Sequence, residues 1–525
     1  MISLIDNFDR FIQARSSFLL LSALLLLFIA ADMIWIGSPF YFIFSDAWEH
    51  TGTLSELLRS PFSPGNPHVD TAEPSARFMP LFVLAGWLGQ QFSLGVFDVY
   101  LGLEIFNLTL LLLGVYLFSQ AYLEDKRAPT LLLLMLLFAW GTGIVWSNGY
   151  ALRSIPFVAG YPSTAAMGLV FLVWFQALRF YRLPAESNSL PAALAILLLL
   201  TLALLVHVLT GVIGIGGLIL LTLTQPTHSL VRRLTPVLMI PLAVLLMELW
   251  PYYSTLSFLL PGGEHGGFWS SEKAAVIEES RALKLMRLHP FYKPVDVLPS
   301  LGIAWLAFPV AIGFAIRGQQ LFAILGLLGL FGIYLLNSLT PIPLGHRALL
   351  FAVVFGQILL TAWLLKALDK RTGPEPVRAA SIGVGVLCIG IAVGLGITGL
   401  KTLERYQQPG HIVPAYTELL GDLPADTVVM GRRSDTWPLP SFGGKTVALF
   451  HNNPLVSESK TRTRDVSAFF DAGSSDQLRR QILKKYHADY LFLRAKKTLD
   501  QDLASHLCTA DSKRIENGFL ICRVN

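Results

Sequence analysis

The chain has 525 residues, of which 53% are hydrophobic and 14% are charged, and its formal net charge is +5. Long apolar runs recur from residue 17 to residue 399, so the composition excludes a water-soluble globular protein and indicates an integral membrane protein. The sequence has no basic patch interleaved with aromatic residues, no Walker A loop and no dinucleotide-binding glycine pattern. It therefore predicts no nucleic-acid partner and gives no support to ATP-driven or redox chemistry.

The apolar runs predict about eleven membrane-spanning helices. They are residues 17–36, 98–120, 129–147, 165–181, 190–206, 211–224, 236–250, 297–316, 320–336, 348–366 and 379–399. The first run is longer than the core of a typical signal peptide and no clear cleavage site follows it. We therefore expect a retained helix there.

A single apolar run over residues 190–224 is interrupted by His207-Val208-Leu209-Thr210-Gly211. At about 1.5 Å per residue it is too long for one span and just long enough for two spans with a tight turn. One tilted helix is the alternative, and it would move the C-terminal tail across the membrane. Basic residues are denser in the short connections on one side, which predicts a cytoplasmic N-terminus and, with an odd number of spans, an extracytoplasmic C-terminus.

The first outer loop, residues 37–97, carries an acidic cluster, Phe44-Ser45-Asp46-Ala47-Trp48-Glu49-His50. A carboxylate placed just outside a bilayer favours chemistry at the membrane face. The structural alternatives are a solvated loop acid or the N-cap of a helix over residues 47–58. Glu49 lies one helical turn beyond Asp46 on nearly the same face, whereas His50 points elsewhere. The apolar stretch at residues 80–94 is short and predicts an interfacial or re-entrant helix.

The outer loop at residues 252–296 begins with a glycine-rich segment, residues 261–267, that contains His265. A helical pattern over residues 272–288 alternates charged and apolar side chains. A flexible segment before an amphipathic helix is typical of a lid over a lipid-facing site, and equally of a simple connector.

The composition changes after Leu400, and residues 401–525 predict a small soluble α/β domain. Strands are expected at residues 427–430, 446–450 and 489–493, and a helix at residues 475–486. Asn517-Gly518 supplies the turn of a terminal hairpin. Cys508 and Cys522 lie in this domain, and the sequence leaves open whether they form a disulfide.

The layout of the chain resembles the GT-C superfamily of integral membrane glycosyltransferases, in particular bacterial members that use polyprenyl-phosphate sugars. The similar elements are Asp46 in the first loop, the His207–Gly211 break, the Leu344-Gly345-His346-Arg347 entrance to a late span and the Asp435-Thr436-Trp437-Pro438 segment of the tail. The resemblance implies a polytopic α-helical membrane protein with a GT-C-like transmembrane domain, residues 1–400, and an extracytoplasmic C-terminal α/β domain, residues 401–525.

The resemblance also implies transfer of a sugar from a polyprenyl-phosphate carrier to an acceptor on the extracytoplasmic face, with inversion, in a bacterial inner (cytoplasmic) membrane. An attacking hydroxyl must lose a proton, so a carboxylate has to lie within hydrogen-bond reach of it. We expect Asp46 to be this base and Glu49 to be its partner. Some members carry adjacent acids in the first loop, whereas this chain has two acids three residues apart, so the number of participating carboxylates stays open.

The departing lipid phosphate needs positive charge at the depth of the lipid head groups. Arg347 is the first candidate because it stands at the outer mouth of a span and can present a fixed fork to phosphate oxygens. His346 is beside it, and Arg153, in the loop that continues to Tyr161, is a second cation. Arg77 is a third. The alternative for each arginine is an anchor that reaches to the lipid head groups.

Four more residues complete the expected substrate-binding set: His50, Tyr161, His265 and Glu248. Glu248 lies near the outer end of a span, where it could line the acceptor cavity. No cofactor is expected, although Asp46 and Glu49 leave a divalent metal open. The expected partners are a polyprenyl-phosphate-linked sugar donor, a glycan, lipid or protein acceptor, and membrane lipid.

Two other classes of function remain open. A transporter or flippase of a lipid-linked or small solute commonly shows repeated halves and broken helices near the bilayer midplane. The sequence has no evident internal repeat and its acidic cluster lies at the membrane surface, which favours the enzyme. A non-catalytic scaffold whose outer domain binds envelope material is the third class.

Overall fold

The computed structural model describes residues 2–41, 45–141, 147–184, 186–225, 229–256, 297, 301–339, 342, 345–369, 374–407, 412–421, 423–451, 453, 455–456, 458–509, 514–516 and 518–525. The chain divides into two compact units. The helical unit comprises Met1–Asp32, Glu104–Leu249 and Ser271–Glu404, and the α/β unit comprises Met33–Leu103, Trp250–Ser270 and Arg405–Asn525.

Nineteen α-helices are defined among the described residues. In chain order, α1 to α19 are Ile2–Gln13, Arg15–Trp35, Ala47–Arg59, Pro80–Gln91, Val96–Leu123, Ala128–Phe138, Ile155–Val158, Pro162–Arg182, Leu190–Val206, Val208–Thr224, Leu230–Met247, Ala307–Ala315, Leu321–Leu339, Ala348–Asp369, Pro374–Gln407, Ile412–Leu420, Ser459–Phe469, Asp476–Lys485 and Thr498–Leu507. Short 3-10 helices occur at Ser38–Phe40, Gly302–Leu306, Gly345–Arg347 and Leu439–Phe442.

The predicted polytopic helical fold is confirmed. By length and composition, 6 helices of the described chain can cross a membrane: Arg15–Trp35, Val96–Leu123, Pro162–Arg182, Leu230–Met247, Gly345–Asp369 and Ser381–Gln407. Five shorter apolar helices accompany them: Ala128–Phe138, Leu190–Val206, Val208–Thr224, Gly302–Ala315 and Leu321–Asn337. Each of the eleven runs predicted from the sequence therefore coincides with an apolar helix.

Burial separates central helices from peripheral ones in the helical unit. The segment Gly345–Asp369 is 94% buried over its most apolar window, whereas Leu230–Met247 and Ser381–Gln407 are each only 17% buried. The peripheral helices expose leucines and isoleucines such as Leu245 and Ile389. An apolar side chain exposed on such a helix is stable against lipid, so this pattern agrees with a bundle solvated by a bilayer.

Two glycines allow α5 and α8 to approach closely. A Cβ at Gly114 would lie 2.5 Å from the carbonyl oxygen of Gly168, and a Cβ at Gly168 would lie 2.6 Å from the backbone of Leu110. Small residues at helix crossings are typical of membrane bundles, where packing rather than hydrophobic burial holds helices together.

The run over residues 190–224 forms two helices, as predicted. Helix α9 ends at Val206 and α10 begins at Val208, and His207 has an extended backbone at the break. Its Nδ1 accepts a hydrogen bond from the backbone N–H of Thr210 and thereby caps α10. Gly211 lies against Leu204, so the two helices fold back on each other.

The α/β unit contains a five-stranded sheet of order β2-β1-β3-β5-β4. The strands β1 to β5 are Val428–Gly431, Lys445–Thr446, Tyr490–Arg494, Arg514–Glu516 and Phe519–Arg523. The first three pair in parallel, and β3–β5 and β5–β4 are antiparallel. The predicted hairpin is confirmed, and Gly518 has a φ of 80° in its turn. The prediction of a strand over residues 446–450 was wrong in length, because pairing with β1 covers only Lys445 and Thr446.

Alternate residues of the strands bury opposite faces of this sheet. One face, with Met430 and Leu491, packs on α17, α18 and α19. The other face, with Val429 and Phe492, packs on Tyr416 of α16 and on Leu439. A disulfide joins Cys508 and Cys522 across the first of these faces.

The first outer loop is part of the same compact unit. Val69 pairs in parallel with Thr446 at the edge strand, and the backbone N–H of Thr446 donates to the carbonyl of His68 at 2.7 Å. The buried Lys445 ammonium binds the Glu56 carboxylate at 2.7 Å. The loop and the C-terminal segment therefore share a sheet edge and a buried ion pair, while the domain boundary predicted at residue 400 stays a prediction.

Candidate functional site

Asp46 stands immediately before helix α3 of the first loop. It occupies the N-cap position, but its side chain makes no capping hydrogen bond. The Ser45 hydroxyl instead accepts from the backbone N–H of Ala47 at 3.3 Å. The Asp46 carboxylate is 43% exposed, and an oxygen lies 3.7 Å from Nδ1 of His451. The Asp46 carboxylate is therefore accessible to a ligand and does not cap the helix.

Glu49 lies one helical turn later and has a very different environment. Its side chain is only 9% exposed, and its two oxygens bind two different cationic partners. Oε2 accepts from Nη2 of Arg77, and Oε1 is 2.7 Å from Nδ1 of His451. Burial alone would raise the pKa of Glu49, but the charge of Arg77 and the His451 contact outweigh it and hold that pKa well below its ordinary value. Glu49 is thus a fixed anion.

His68 contacts the backbone of Glu49. Its Nε2 lies 3.2 Å from the backbone carbonyl oxygen of Glu49. Burial, aided by the charges of Arg77 and Lys445, lowers the pKa of His68 to about 4. The imidazole is therefore neutral near pH 7, and Nε2–H donates to the carbonyl.

His451 brings the C-terminal segment to the first-loop carboxylates. Burial would lower its pKa, but the hydrogen bond and charge of Glu49, with the charge of Asp46, raise the pKa of His451 above its ordinary value. The chain before it is held by Arg433, whose Nη1 donates to the carbonyl oxygens of Leu449 and Phe450 at 3.4 and 3.5 Å. The imidazole of His451 is therefore held in a defined position.

The other first-loop candidates differ in their surroundings. Arg77 is paired with Glu49, so its charge is already compensated within the α/β unit. His50 is 2% exposed, and its ring centroid lies 5.4 Å from that of Phe82. The structure thus brings Asp46, Glu49 and Arg77 together around His451, and it buries His50 against α4. We refer to Asp46, Glu49, Arg77 and His451 as the carboxylate cluster.

In the helical unit, a cavity of about 500 Å³ lies beside Arg153. Its walls come from the end of α6 and the residues after it, the loop at residues 151–153, the 3-10 helix at Gly302–Leu306 and α15, and almost every lining side chain is apolar. Arg153 and Thr398 are the exceptions. Gly302 has a φ of +55°, and a Cβ there would lie 2.5 Å from the backbone nitrogen of Gly141, so the wall requires glycine at this position.

Arg153 places a guanidinium charge at this cavity. Nη2 donates to the carbonyl of Gly141, and Nε is buried without a hydrogen-bond partner. No carboxylate in the described part of the chain forms an ion pair with it. Burial lowers the pKa of Arg153, as expected for a guanidinium that is not stabilised by an anion, although an arginine remains charged at any physiological pH. The Thr398 hydroxyl is likewise buried without a hydrogen-bond partner among described atoms.

Arg347 contacts the loop that precedes Arg153. Its Nη1 donates to the Ser147 hydroxyl at 3.2 Å. The next residue, Asn148, has a φ of 71° and donates to the hydroxyls of Tyr150 and Thr210 at 2.9 and 3.2 Å. Thr210 in turn contacts His207 at 2.8 Å. The structure therefore connects the late-span arginine with the broken helix, two elements far apart in sequence.

The remaining predicted residues lie at helix ends. His346 is in the 3-10 turn before α14, Tyr161 occupies the N-cap position of α8 without a side-chain capping bond, and Glu248 occupies the C-cap position of α11. Asn107 donates to the carbonyl of Tyr161 at 3.3 Å. His265 and most of the loop that contains it lie outside the described residues. Over the residues that are described, no group of three His, Cys, Asp or Glu side chains could hold a metal ion.

Sequence reasoning missed His451 and His68. His451 directly follows the segment predicted as a strand, but the paired strand ends at Thr446, so strand position did not identify His451. No signal identified its partner, since 402 residues separate it from Glu49.

Comparison of the sequence with family models and with curated proteins gives no match. Solved structures of the same fold do match. ArnT from Cupriavidus metallidurans in the apo state has a TM-score of 0.56 at 13% identity, over 97% of this chain and 98% of that one. The same protein bound to undecaprenyl phosphate has a TM-score of 0.55 at 13% identity, again over 97% and 98% of the two chains.

The apo oligosaccharyltransferase of Archaeoglobus fulgidus is also similar, with a TM-score of 0.54 at 12% identity over 92% of this chain and 70% of that one. These proteins are GT-C membrane glycosyltransferases, and at such low identity the likeness concerns the fold. The predicted GT-C fold is thereby confirmed.

Proposed function

The chain has the GT-C fold, and on that premise we propose that it is a glycosyltransferase that moves a sugar from a polyprenyl-phosphate carrier to an acceptor hydroxyl. The observation that supports a lipid-borne donor is Arg153, a cation without a carboxylate partner in the described chain, beside an apolar cavity of about 500 Å³. Such a pair fits an isoprenoid chain attached to a phosphate. ArnT, whose structure is similar, has been solved with undecaprenyl phosphate.

The reaction step assigns one role to Asp46. The acceptor oxygen attacks the anomeric carbon, the bond from that carbon to the carrier phosphate breaks, and its electron pair leaves with the phosphate. The hydroxyl proton goes to the Asp46 carboxylate, the exposed acid of the carboxylate cluster. A single displacement of this kind inverts the anomeric configuration.

Glu49 has a supporting role in this proposal. Its depressed pKa makes it a poor proton acceptor, because an efficient general base has a pKa closer to the working pH. Its permanent negative charge, fixed by Arg77 and His451, contributes electrostatically to a transition state with oxocarbenium character. The acceptor in this scheme is a glycan, lipid or protein hydroxyl on the extracytoplasmic face of a bacterial inner membrane.

Turnover of lipid-linked sugars tests this proposal. The purified full chain in lipid nanodiscs is incubated with undecaprenyl-phosphate derivatives of hexoses, N-acetylhexosamines and pentoses, each with a mixture of saccharide and lipid acceptors. We expect at least one donor to yield free undecaprenyl phosphate together with a glycosylated acceptor. If no donor is consumed but labelled donor crosses the bilayer of protein-containing vesicles, the chain is a flippase and the proposal is wrong.

A further inference from the structure

The segment Asp435-Thr436-Trp437-Pro438, which follows β1, is held by two ion pairs whose carboxylates are buried. The Asp435 carboxylate is 3% exposed and accepts two hydrogen bonds from Arg494, each of 2.7 Å. Arg432 donates two bonds of 2.6 Å to the fully buried Asp500. Bidentate pairs of this kind fix both distance and angle. Trp437 is therefore carried on a rigid loop.

Three aromatic rings meet next to the carboxylate cluster. Trp437 and Phe450 are stacked with their centroids 3.9 Å apart, and His451 meets both edge-on at 5.1 and 4.9 Å. Trp437 is 5% exposed, and its Nε1–H is buried without a hydrogen-bond partner among the described atoms. The buried Trp437 therefore supports the partly exposed Phe450 ring and the exposed His451 ring, which are the two members of this group that a ligand can reach.

His451 offers a second polar position. Its Nδ1–H donates to Glu49, so Nε2 is the open nitrogen, and in the imidazolium that Glu49 favours it offers an N–H donor. Nothing in the described part of the chain bonds to Nε2, and the side chain is 48% exposed. A carboxylate–imidazole pair with an open nitrogen is suited to bind a hydroxyl group.

We propose that His451 and Phe450, with the buried Trp437 stacked on Phe450, form an acceptor subsite that binds a sugar ring, so that the acceptor is a saccharide or a glycolipid and not a peptide. This inference rests on the proposed function and names its acceptor class. Aromatic faces beside a few polar groups match the apolar C–H face and the hydroxyl rim of a pyranose or furanose. Asp46 lies 3.7 Å from the imidazole, so a hydroxyl bound at His451 has the base beside it.

Protection of His451 from a histidine reagent tests the subsite without any transfer. The purified full chain is treated with diethyl pyrocarbonate, and modification of each histidine is followed by peptide mass spectrometry. The ligand probes are methyl glycosides of glucose, galactose, mannose, N-acetylglucosamine and arabinose, with a serine- and threonine-containing hexapeptide for comparison. We expect at least one glycoside to slow modification of His451 fivefold or more, and the hexapeptide to have no effect.

His506 is a matched internal control, because it is 54% exposed and pairs with Asp476 at 3.1 Å in the same unit. Its modification should not change with any glycoside. Equal protection of both histidines, or protection of His451 by the peptide alone, overturns the proposal.

Kinetics of variants distinguish this inference from the proposed function. We expect His451→Gln and Phe450→Leu to raise the acceptor KM tenfold or more and to leave the donor KM within twofold, while His506→Gln changes neither. Turnover of a lipid-phosphate sugar with an unchanged acceptor KM in both variants overturns the subsite and leaves the proposed function standing. Glycoside protection of His451 in a chain that consumes no lipid-linked donor has the opposite meaning: the subsite stands and the proposed function falls.

Discussion

Two charged side chains, Glu49 in the α/β unit and Arg153 in the helical unit, have opposite surroundings. In the α/β unit, the Glu49 carboxylate is enclosed and each of its oxygens has a partner, Arg77 or His451. In the helical unit, the Arg153 guanidinium lies beside an apolar cavity without a carboxylate partner in the described chain. A buried charge that is paired with opposite charges has a structural role. A guanidinium without a carboxylate partner is instead stabilised by an anion from outside the chain. Under the proposed function, the first region carries out the chemistry and the second binds the anionic lipid carrier.

The largest effect on the rate of transfer is expected for substitution of Asp46, and it tests the comparison of the two regions. Asp46→Asn keeps the size of the side chain and removes its basicity, so we expect kcat to fall by about 10²–10⁴-fold, the usual contribution of a general base. Thermal unfolding should be nearly unchanged because the side chain is 43% exposed. Release of free carrier lipid measures the rate.

Asp426→Asn is the matched control for Asp46, since Asp426 is an aspartate of the same unit with a side chain 62% exposed. It should retain the wild-type rate. A rate for Asp46→Asn within threefold of the wild type would remove the proposed base.

Glu49→Gln removes the negative charge of the Glu49–Arg77 ion pair and so tests the paired side of the comparison. The change leaves Arg77 without its carboxylate in a site where Glu49 is 9% exposed, so we expect a loss of about 3 kcal/mol in the free energy of unfolding. Arg77→Met should restore part of that loss in the double variant, because it removes the unpaired cation. A double-mutant cycle on thermal or denaturant unfolding measures the coupling. Additive effects would show that the pair is not a structural unit.

Arg153→Gln tests the guanidinium that has no carboxylate partner in the described chain. Removing the guanidinium should weaken binding of undecaprenyl phosphate about 10–100-fold, the range for loss of a charge-assisted hydrogen bond of about 1.5–3 kcal/mol. Equilibrium binding of labelled undecaprenyl phosphate to nanodiscs gives the affinity.

Arg182→Gln is the control for Arg153, because Arg182 is 42% exposed and already pairs with Glu124 at 2.7 Å. It should bind the lipid as the wild type does. Equal affinities for Arg153→Gln and the wild type would show that the carrier phosphate lies elsewhere.

The smallest expected effect is a dependence of stability on pH. The folded-state pKa of Glu49 is depressed, so its contribution is present above its ordinary value of 4.5 and is lost as pH falls below that value. His451, whose folded-state pKa is raised, acts in the opposite sense, and its contribution is lost as pH rises through its folded value, above 6.5.

We therefore expect the melting temperature of the wild type to fall more between pH 6 and pH 4 than that of Glu49→Gln. Thermal scans in the same detergent at both pH values measure the difference. Parallel profiles for the two proteins would mean that Glu49 titrates normally in the folded state.

The sequence predicted the membrane helices well because lipid imposes a simple rule. A spanning helix must satisfy its backbone internally and present apolar side chains, and this leaves long runs that are visible in the sequence. The break at His207 was also visible, since a polar residue followed by Thr210 and Gly211 interrupts an apolar run. The strand predicted at residues 446–450 was too long, because composition shows strand propensity but not where a partner strand ends.

The site was only partly predictable. Asp46 and Glu49 were identified from their position outside the first span, but the sequence did not show that one is exposed and the other enclosed. That contrast depends on Arg77 and His451, and the His451 contact joins residues separated by 402 positions. Local spacing carries no information about such a contact. The cavity beside Arg153 is equally non-local, because its walls come from four separate segments.

The most direct test of the division between the two regions is the affinity of Asp46→Asn for undecaprenyl phosphate, measured on the sample whose turnover is recorded. The account predicts an affinity within twofold of the wild type together with loss of turnover, because the base does not hold the carrier. An affinity that falls in proportion to the rate would contradict it, since Asp46 would then serve binding and not proton transfer.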